Sequence, residues 1–386
     1  MKTTFKKLVL VILCVISVSI FAQKPEPIYS ITRQIHDFEW YEQQAKAWKL
    51  EIDNGTKDKM AWVYFYQANR MAKNFFDSKK WESKQGDYFI PEDKIIELAD
   101  KAIPNSFELF YLKANDNKAG SGSGAEYIMK AQEIKPFDQI LLPWLLNYYQ
   151  FKNDKANIEL TCKKWFESNE MPQEMLITAY NNLISLDQNA ILLVYGDNDT
   201  YPCWVLQNVQ RIRPDVIVIS IPLITKIDSY REQLFKEYGI PQLTLKEDSD
   251  RTYQKIVKHL IENVHDKSIY VSIYAAQEVY KDYTDKMYLT GLSFKYSKKP
   301  FDNLAVLRNN VENKFMLDFL KQTFYNNYAQ DVVNQMNFGY LAIFLKLYEQ
   351  YNLSGEKIKA QKIKELAKTV SSRTEYGTKW MQYFEK

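Results

Sequence analysis

Two short apolar runs constrain this chain more than any other feature. Ala190–Tyr195 (AILLVY) and Val216–Ile221 (VIVISI) carry no charge and show no regular alternation. Runs of that kind suit strands of a sheet covered on both faces. Between them, Pro202 to Gln210 has helical spacing, which Arg213-Pro214-Asp215 breaks. Helical patterns follow at about Ser229–Tyr238 and Arg251–Val264, and a third run lies at Ser268–Ile273. Leu243–Leu245 reads as a short strand or an extended loop. A short helix around Gln277 and a fourth strand at about Met287–Tyr296 complete the region. Strands alternating with helices predict a small, mainly parallel, three-layer α/β domain over 188–305.

Both flanks have a helical period. Phe38, Tyr41, Ala45 and Trp48 share one face, and Met60, Val63, Tyr66 and Met71 mark a second helix. Ser78–Asp87 is polar and reads as a loop. Pro91 opens a helix that stops near Pro104, and another ends at Pro136. Helices around Leu141–Tyr148 and Lys155–Ser168 precede Pro172. Pro104, Pro136 and Pro172 lie 32 and 36 residues apart, close to the period of about 34 in tetratricopeptide hairpins. After 306, Val311, Phe315 and Phe319 form one face, and Phe338, Leu341, Phe344 and Tyr348 another. Leu353-Ser-Gly355 is a turn, Ala360–Val370 its partner helix, and Glu375–Lys386 a terminal cap. The expected fold is α+β overall: α-helical hairpin repeats (tetratricopeptide-like) over 30–187 and 306–386, flanking the α/β domain.

The first residues have the layout of a signal peptide. Lys2, Lys6 and Lys7 precede the uncharged stretch Leu8–Phe21, and cleavage is expected near Ala22. The stretch is shorter than the roughly 20 residues of a membrane span, and bulky Leu13 argues against lipidation at Cys14. No later segment reads as transmembrane. The expectation is a periplasmic or secreted chain, with residues 1–22 removed. Those three lysines account for the whole formal charge of +3. The remaining charge is interspersed and forms no basic stripe, which argues against nucleic acid as a partner. Cys162 and Cys203 read as buried thiols, with no disulfide. His36, His259 and His265 share no ligand spacing, which argues against a histidine zinc site.

The densest candidate site is Gly196-Asp197-Asn198-Asp199-Thr200-Tyr201-Pro202, at the C-terminal end of the first strand, where open parallel sheets bind ligands. Gly196 suits a tight turn. Asp197 and Asp199, two apart in an extended stretch, would point to one side. Asp199 or Thr200 would cap a helix begun near Pro202. Two carboxylates and an amide repel a bare phosphate. They suit a calcium or magnesium ion held by Asp197 and Asp199, or sugar hydroxyls with Tyr201 or Trp204 as stacking face. The Asp-x-Asp order differs from that of haloacid-dehalogenase phosphatases, because Tyr201 stands where they carry Thr or Val. Arg213 and Asp215 suggest a salt-bridged corner that could also border the site. Gly291, in LTGLSFKY, marks a bend or close backbone approach near the same edge.

The stretch from Ile191 to Ile224 resembles a segment of bacterial multi-spanning membrane proteins that are similar to protein O-mannosyltransferases and frequent in Bacteroidota. Gly196 to Pro202, Trp204, Gln207, Arg213, Asp215 and Val216 carry the resemblance, with Thr290-Gly291-Leu292 and the closing hairpin adding to it. It extends over about Gln188–Val370. The sequence has no transmembrane bundle, where a lipid-linked sugar donor would be handled, so transferase activity does not follow. The resemblance implies an extracytoplasmic accessory domain that recognises a glycan or an acceptor polypeptide. Three readings stand: an exported binding or interaction protein with a protein or glycan partner in the cell envelope, a carboxylate- or cation-dependent hydrolase or transferase, and a structural envelope component.

Overall fold

The computed structural model describes residues 25–116, 123–245, 252–322, 329–374 and 377–385; the stretch expected to be a signal peptide, residues 1–22, lies outside them. The chain forms two compact units. One consists of His36–Asn117 with the segment ending at Ile31, the other of Thr32–Ile35 with Lys118–Lys386.

The first unit is helical: α1 Phe38–Asp53, α2 Met60–Met71, α3 Ser78–Ser83, α4 Glu92–Ala102 and α5 Phe107–Asp116. The Asp37 carboxylate accepts from Trp40 N and caps α1. Tyr41, Ala45 and Trp48 are buried, as their spacing predicts. α1 packs on α2 and α4 on α5, in hairpin order. The polar stretch at 78–87 is not all loop. It holds α3, capped by Asp77 and anchored by Trp81, which is 1% exposed. Asn69, fully buried, accepts from Trp81 Nε1 and Ile90 N and donates to the carbonyls of Phe65 and Tyr88. One amide therefore stitches three segments together.

The second unit begins with α6 Ser123–Ile134, α7 Leu142–Lys152, α8 Lys155–Glu167 and α9 Gln173–Ile184. Then come β1 Ile191–Val194, α10 Asp197–Val209, β2 Ile217–Ser220, α11 Ile221–Lys226, α12 Asp228–Glu237, α13 Thr252–Asn263 and β3 Ile269–Ser272. A 3₁₀ stretch, Gln277–Lys286, leads to β4 Met287–Leu289 and β5 Ser293–Tyr296. The closing helices are α14 Asn303–Asn313, α15 Gln330–Asn337, α16 Tyr340–Leu353, α17 Lys357–Ser371 and α18 Gly377–Met381.

The sheet order is β2-β1-β3-β5-β4. β1 pairs parallel with β2 and β3, whereas β3–β5 and β5–β4 are antiparallel. The sheet is therefore mixed. The expected single fourth strand is a hairpin, broken where Thr290 N returns to Ser293 O across Gly291 and Leu292. Every residue of β1, β2 and β3 is buried, which explains their unbroken apolar sequence. The core between the sheet and α11–α13 contains Ile219, Phe235, Ile256 and Leu260. Leu243–Leu245 is extended loop. Val311, Phe315 and Phe319 do not share one helix, because α14 ends at Asn313 and Phe319 sits in a 3₁₀ turn. α16 and α17 form the expected hairpin. Among the described residues, no helix is long and apolar enough to cross a membrane.

Candidate functional site

The acidic segment opens α10 rather than preceding it. Gly196 is the N-cap with an extended backbone, φ −179°, and no side chain caps the helix. Asp199 N and Thr200 N both donate to Gly196 O. A Cβ at Gly196 would meet nothing within 4 Å, so the turn does not require glycine. Pro202 lies inside the helix and cannot donate to the carbonyl of Asn198. Asp197 and Asp199 fall in the first turn, where the helix dipole favours them.

Two residues apart on a helix, the carboxylates diverge instead of sharing a side. Asp199 points inward and is 7% exposed. Its carboxylate accepts from Tyr195 N at 3.1 Å and from the Ser272 hydroxyl, tying the ends of β1 and β3 together. Burial pushes its carboxyl up to about 7 against these two hydrogen bonds. Cys203 and Tyr274 stand nearby, and burial keeps both protonated. Among the described residues no cation pairs with Asp199, and both its engaged partners are structural. Asp197 is exposed. The protein mass around it raises its carboxyl, while the charges of Arg33 and Lys226 pull the other way.

The partner of this face is the chain's own segment Thr32–Ile35. Asn198 Nδ2 donates to Thr32 O at 2.8 Å. The Arg33 guanidinium lies 5.9 Å from the Trp165 ring centroid and donates to Glu170 O. Thr32, Arg33, Trp165, Asp197, Asn198 and Tyr201 border a cavity of about 20 Å³, room for a single water. Ile35 packs on Met175, Val332, Val333 and Met336. Nothing in the sequence around Arg33 signals this role, and Trp165 reads there as one more helical core residue.

Other expected site residues are placed elsewhere. Tyr201 and Trp204 are 7% and 4% exposed and offer no stacking face. Tyr201 Oη accepts from Asn147 Nδ2 at 2.8 Å, and Trp204 Nε1 donates to Val218 O. Thr200 is buried and caps nothing. Arg213 and Asp215 lie just before β2, at the opposite edge of the sheet from Gly196. All five Arg213 N–H groups are engaged. They reach both oxygens of Asp215 and the carbonyls of Leu183, Leu186 and Asp187. Asp215 also accepts from Asn189 N, and Arg213 holds its carboxyl down at about 2. This pair closes the α9–β1 corner; it also lines an open concavity of about 580 Å³ with Ile184, Leu186, Gln188 and Lys314, to which Arg213 has no free donor to offer. Gly291 makes a close backbone approach, but to Ser185 Oγ and Phe315, at 2.9 and 3.3 Å from an added Cβ, not to the acidic segment.

A calcium or magnesium ion asks for six or more converging oxygens. Asp197 and Asp199 supply theirs from different sides of α10, and among the described residues no three His, Cys, Asp or Glu side chains gather. Cys162 and Cys203 are free and buried.

Residues 175–337 match the family described as TMEM260-associated domain 2. The match runs from within α9 to the end of α15 and so contains the whole sheet. α9 is thereby part of the matched region. Arg33, Trp165 and Asn147, which surround the acidic face, lie outside it. The comparisons with curated proteins and with solved structures returned no match.

Proposed function

We propose that the second unit is a polypeptide-recognition module of an exported cell-envelope protein, reading an arginine-bearing extended segment at the N-terminus of α10. The observation that carries this reading is the seating of Thr32 and Arg33: one main-chain carbonyl held by Asn198, and one guanidinium bonded to Glu170 O and lying near the Trp165 ring, with the Asp197 charge close by but not in ion-pair contact. Main-chain reading plus one side-chain slot is how grooves recognise extended peptides. The segment fills the site in cis, so an external peptide would compete with it. The signal-peptide layout of residues 1–22 supports a place outside the cytoplasm, and the resemblance carried by Gly196–Pro202, Arg213 and Asp215 supports an accessory role beside O-mannosyltransferase-like chemistry, with glycan or acceptor polypeptide as partner. A hydrolase using Asp199 is the weaker reading, because its carboxylate is buried and engaged by Tyr195 N and Ser272.

The test is fluorescence anisotropy of a labelled peptide spanning residues 28–37 against the Arg33→Ala protein, whose own slot is vacated. Binding is expected to weaken about tenfold or more when the peptide arginine is replaced by alanine, which removes its ring and carbonyl contacts, and to weaken less when Asp197→Ala is added, which removes a nearby opposite charge. Binding indifferent to both changes, or no binding, overturns the reading.

A further inference from the structure

A second concavity, of about 200 Å³, lies at the β2 edge of the sheet, walled by α10, α12 and the α7–α8 turn. Its chemistry is unlike that of the acidic face. Gln150 from α7 and Gln233 from α12 line it, and neither side chain makes a hydrogen bond among the described residues. Asn208 adds a third amide, which gives Trp204 O one N–H and keeps its own oxygen open. A carboxamide presents donor and acceptor side by side, matching a hydroxyl that both gives and takes a hydrogen bond. Tyr238 stands at the mouth with 37% of its surface exposed, and burial with the Glu237 charge raises its phenol, which stays protonated.

The same walls exclude other ligand classes. The charges that line the cleft are paired: Lys155 with Glu237 at 3.0 Å, and Arg211 with Glu159 at 3.0 Å, so among the described residues no unpaired charge is left to select an ion. A peptide adding to the sheet would need the outward carbonyls of edge strand β2. Val216 O and Val218 O are already taken by Gln207 Nε2 and Trp204 Nε1. The volume is below the roughly 300–1,000 Å³ of pockets for drug-sized ligands. A compact, neutral molecule, dense in hydroxyls and with one apolar face, fits what remains.

We infer that this cleft binds one ring of a neutral sugar or cyclic polyol, its hydroxyls on Gln150, Gln233 and Asn208 and its C–H face on Tyr238. Isothermal titration of the full chain with methyl β-glucoside, N-acetylglucosamine and myo-inositol tests it and separates sugar from cyclic polyol. At least one probe should bind, with affinity falling about tenfold in Gln150→Ala and in Gln233→Ala, the loss of roughly one hydrogen-bonded pair. Asp197→Ala should leave that affinity unchanged, so this result is independent of the peptide reading. Both glutamines are partly exposed and make no internal bond, so thermal unfolding of the variants should match wild type. The inference is overturned if none of the three probes binds, if both glutamine variants bind like wild type, or if inorganic phosphate displaces the bound probe.

Discussion

Asp199 is a carboxyl group folded into a place that favours its proton. Its pKa rises from 3.8 to about 7 because burial outweighs the bonds from Tyr195 N and Ser272. The native state therefore holds more protons than the unfolded chain between pH 4 and 7, and stability falls as pH rises through that window. The slope is about 1.4 kcal/mol per pH unit at most. Cys203 and Tyr274 remain neutral throughout and add nothing to it. Asp199→Asn keeps an oxygen for Tyr195 N and removes the titration. Urea unfolding at pH 5, 6 and 7 should show the slope in wild type and its loss in the variant; equal slopes would refute the assignment. The two glycines of the motif regions should part company. Gly196→Ala meets no atom and should be nearly neutral, whereas Gly291→Ala forces Ser185 or Phe315 aside and should cost about 1–3 kcal/mol. Matched denaturation curves decide this.

Among the elements, β1, β2 and β3 were legible because complete burial removes any need for polar alternation, leaving runs such as ILLV and IVIS. The strand character of Met287–Tyr296 was legible, but its break into the β4–β5 hairpin was not. The turn at Thr290–Ser293 lies within one continuous strand-like stretch, where Gly291 alone signals a bend. α9 carries no clear helical signature in the sequence, because its buried face mixes Thr178, Asn181 and Asn182 with apolar groups. Asn181 donates to Met316 O and Tyr340 Oη, and Asn182 Oδ1 accepts from Ser293, so polar residues do the packing there. The start of α10 was misplaced because Asp-Asn-Asp-Thr has loop composition, although the helix dipole accepts acids in its first turn. Arg213 belongs with these joints. Its φ is +47°, and its five donors bind α9, the corner and Asp215 together. Arg213→Lys retains the charge but cannot fork, and should lose about 2–4 kcal/mol of stability. Binding of the 28–37 peptide by the folded fraction should be unaffected, since the corner lies at the other edge of the sheet.

For the molecule as a whole, the chain path is the telling feature. It leaves the first unit at Ile31, spends Thr32–Ile35 in the second, and returns at His36. Within the first unit, Glu26 O accepts from Trp48 Nε1 and Glu26 N donates to Gln44. Within the second, Arg33, Asn198 and the Ile35 cluster hold the four-residue segment. Each unit has its own core, so heating should not produce one all-or-none transition. Differential scanning calorimetry is expected to resolve two. Asn198→Ala removes the hold on Thr32 O, and Asp197→Ala removes a charge facing Arg33. Both partners lie in the second unit, so these changes should lower that unit's transition alone, by a few degrees for about 1 kcal/mol. Trp81→Ala, in the first unit, should lower the other, because a side chain 1% exposed leaves a large cavity. A single transition that both sets of variants shift together would mean that the units unfold as one body, against the expectation from their separate cores.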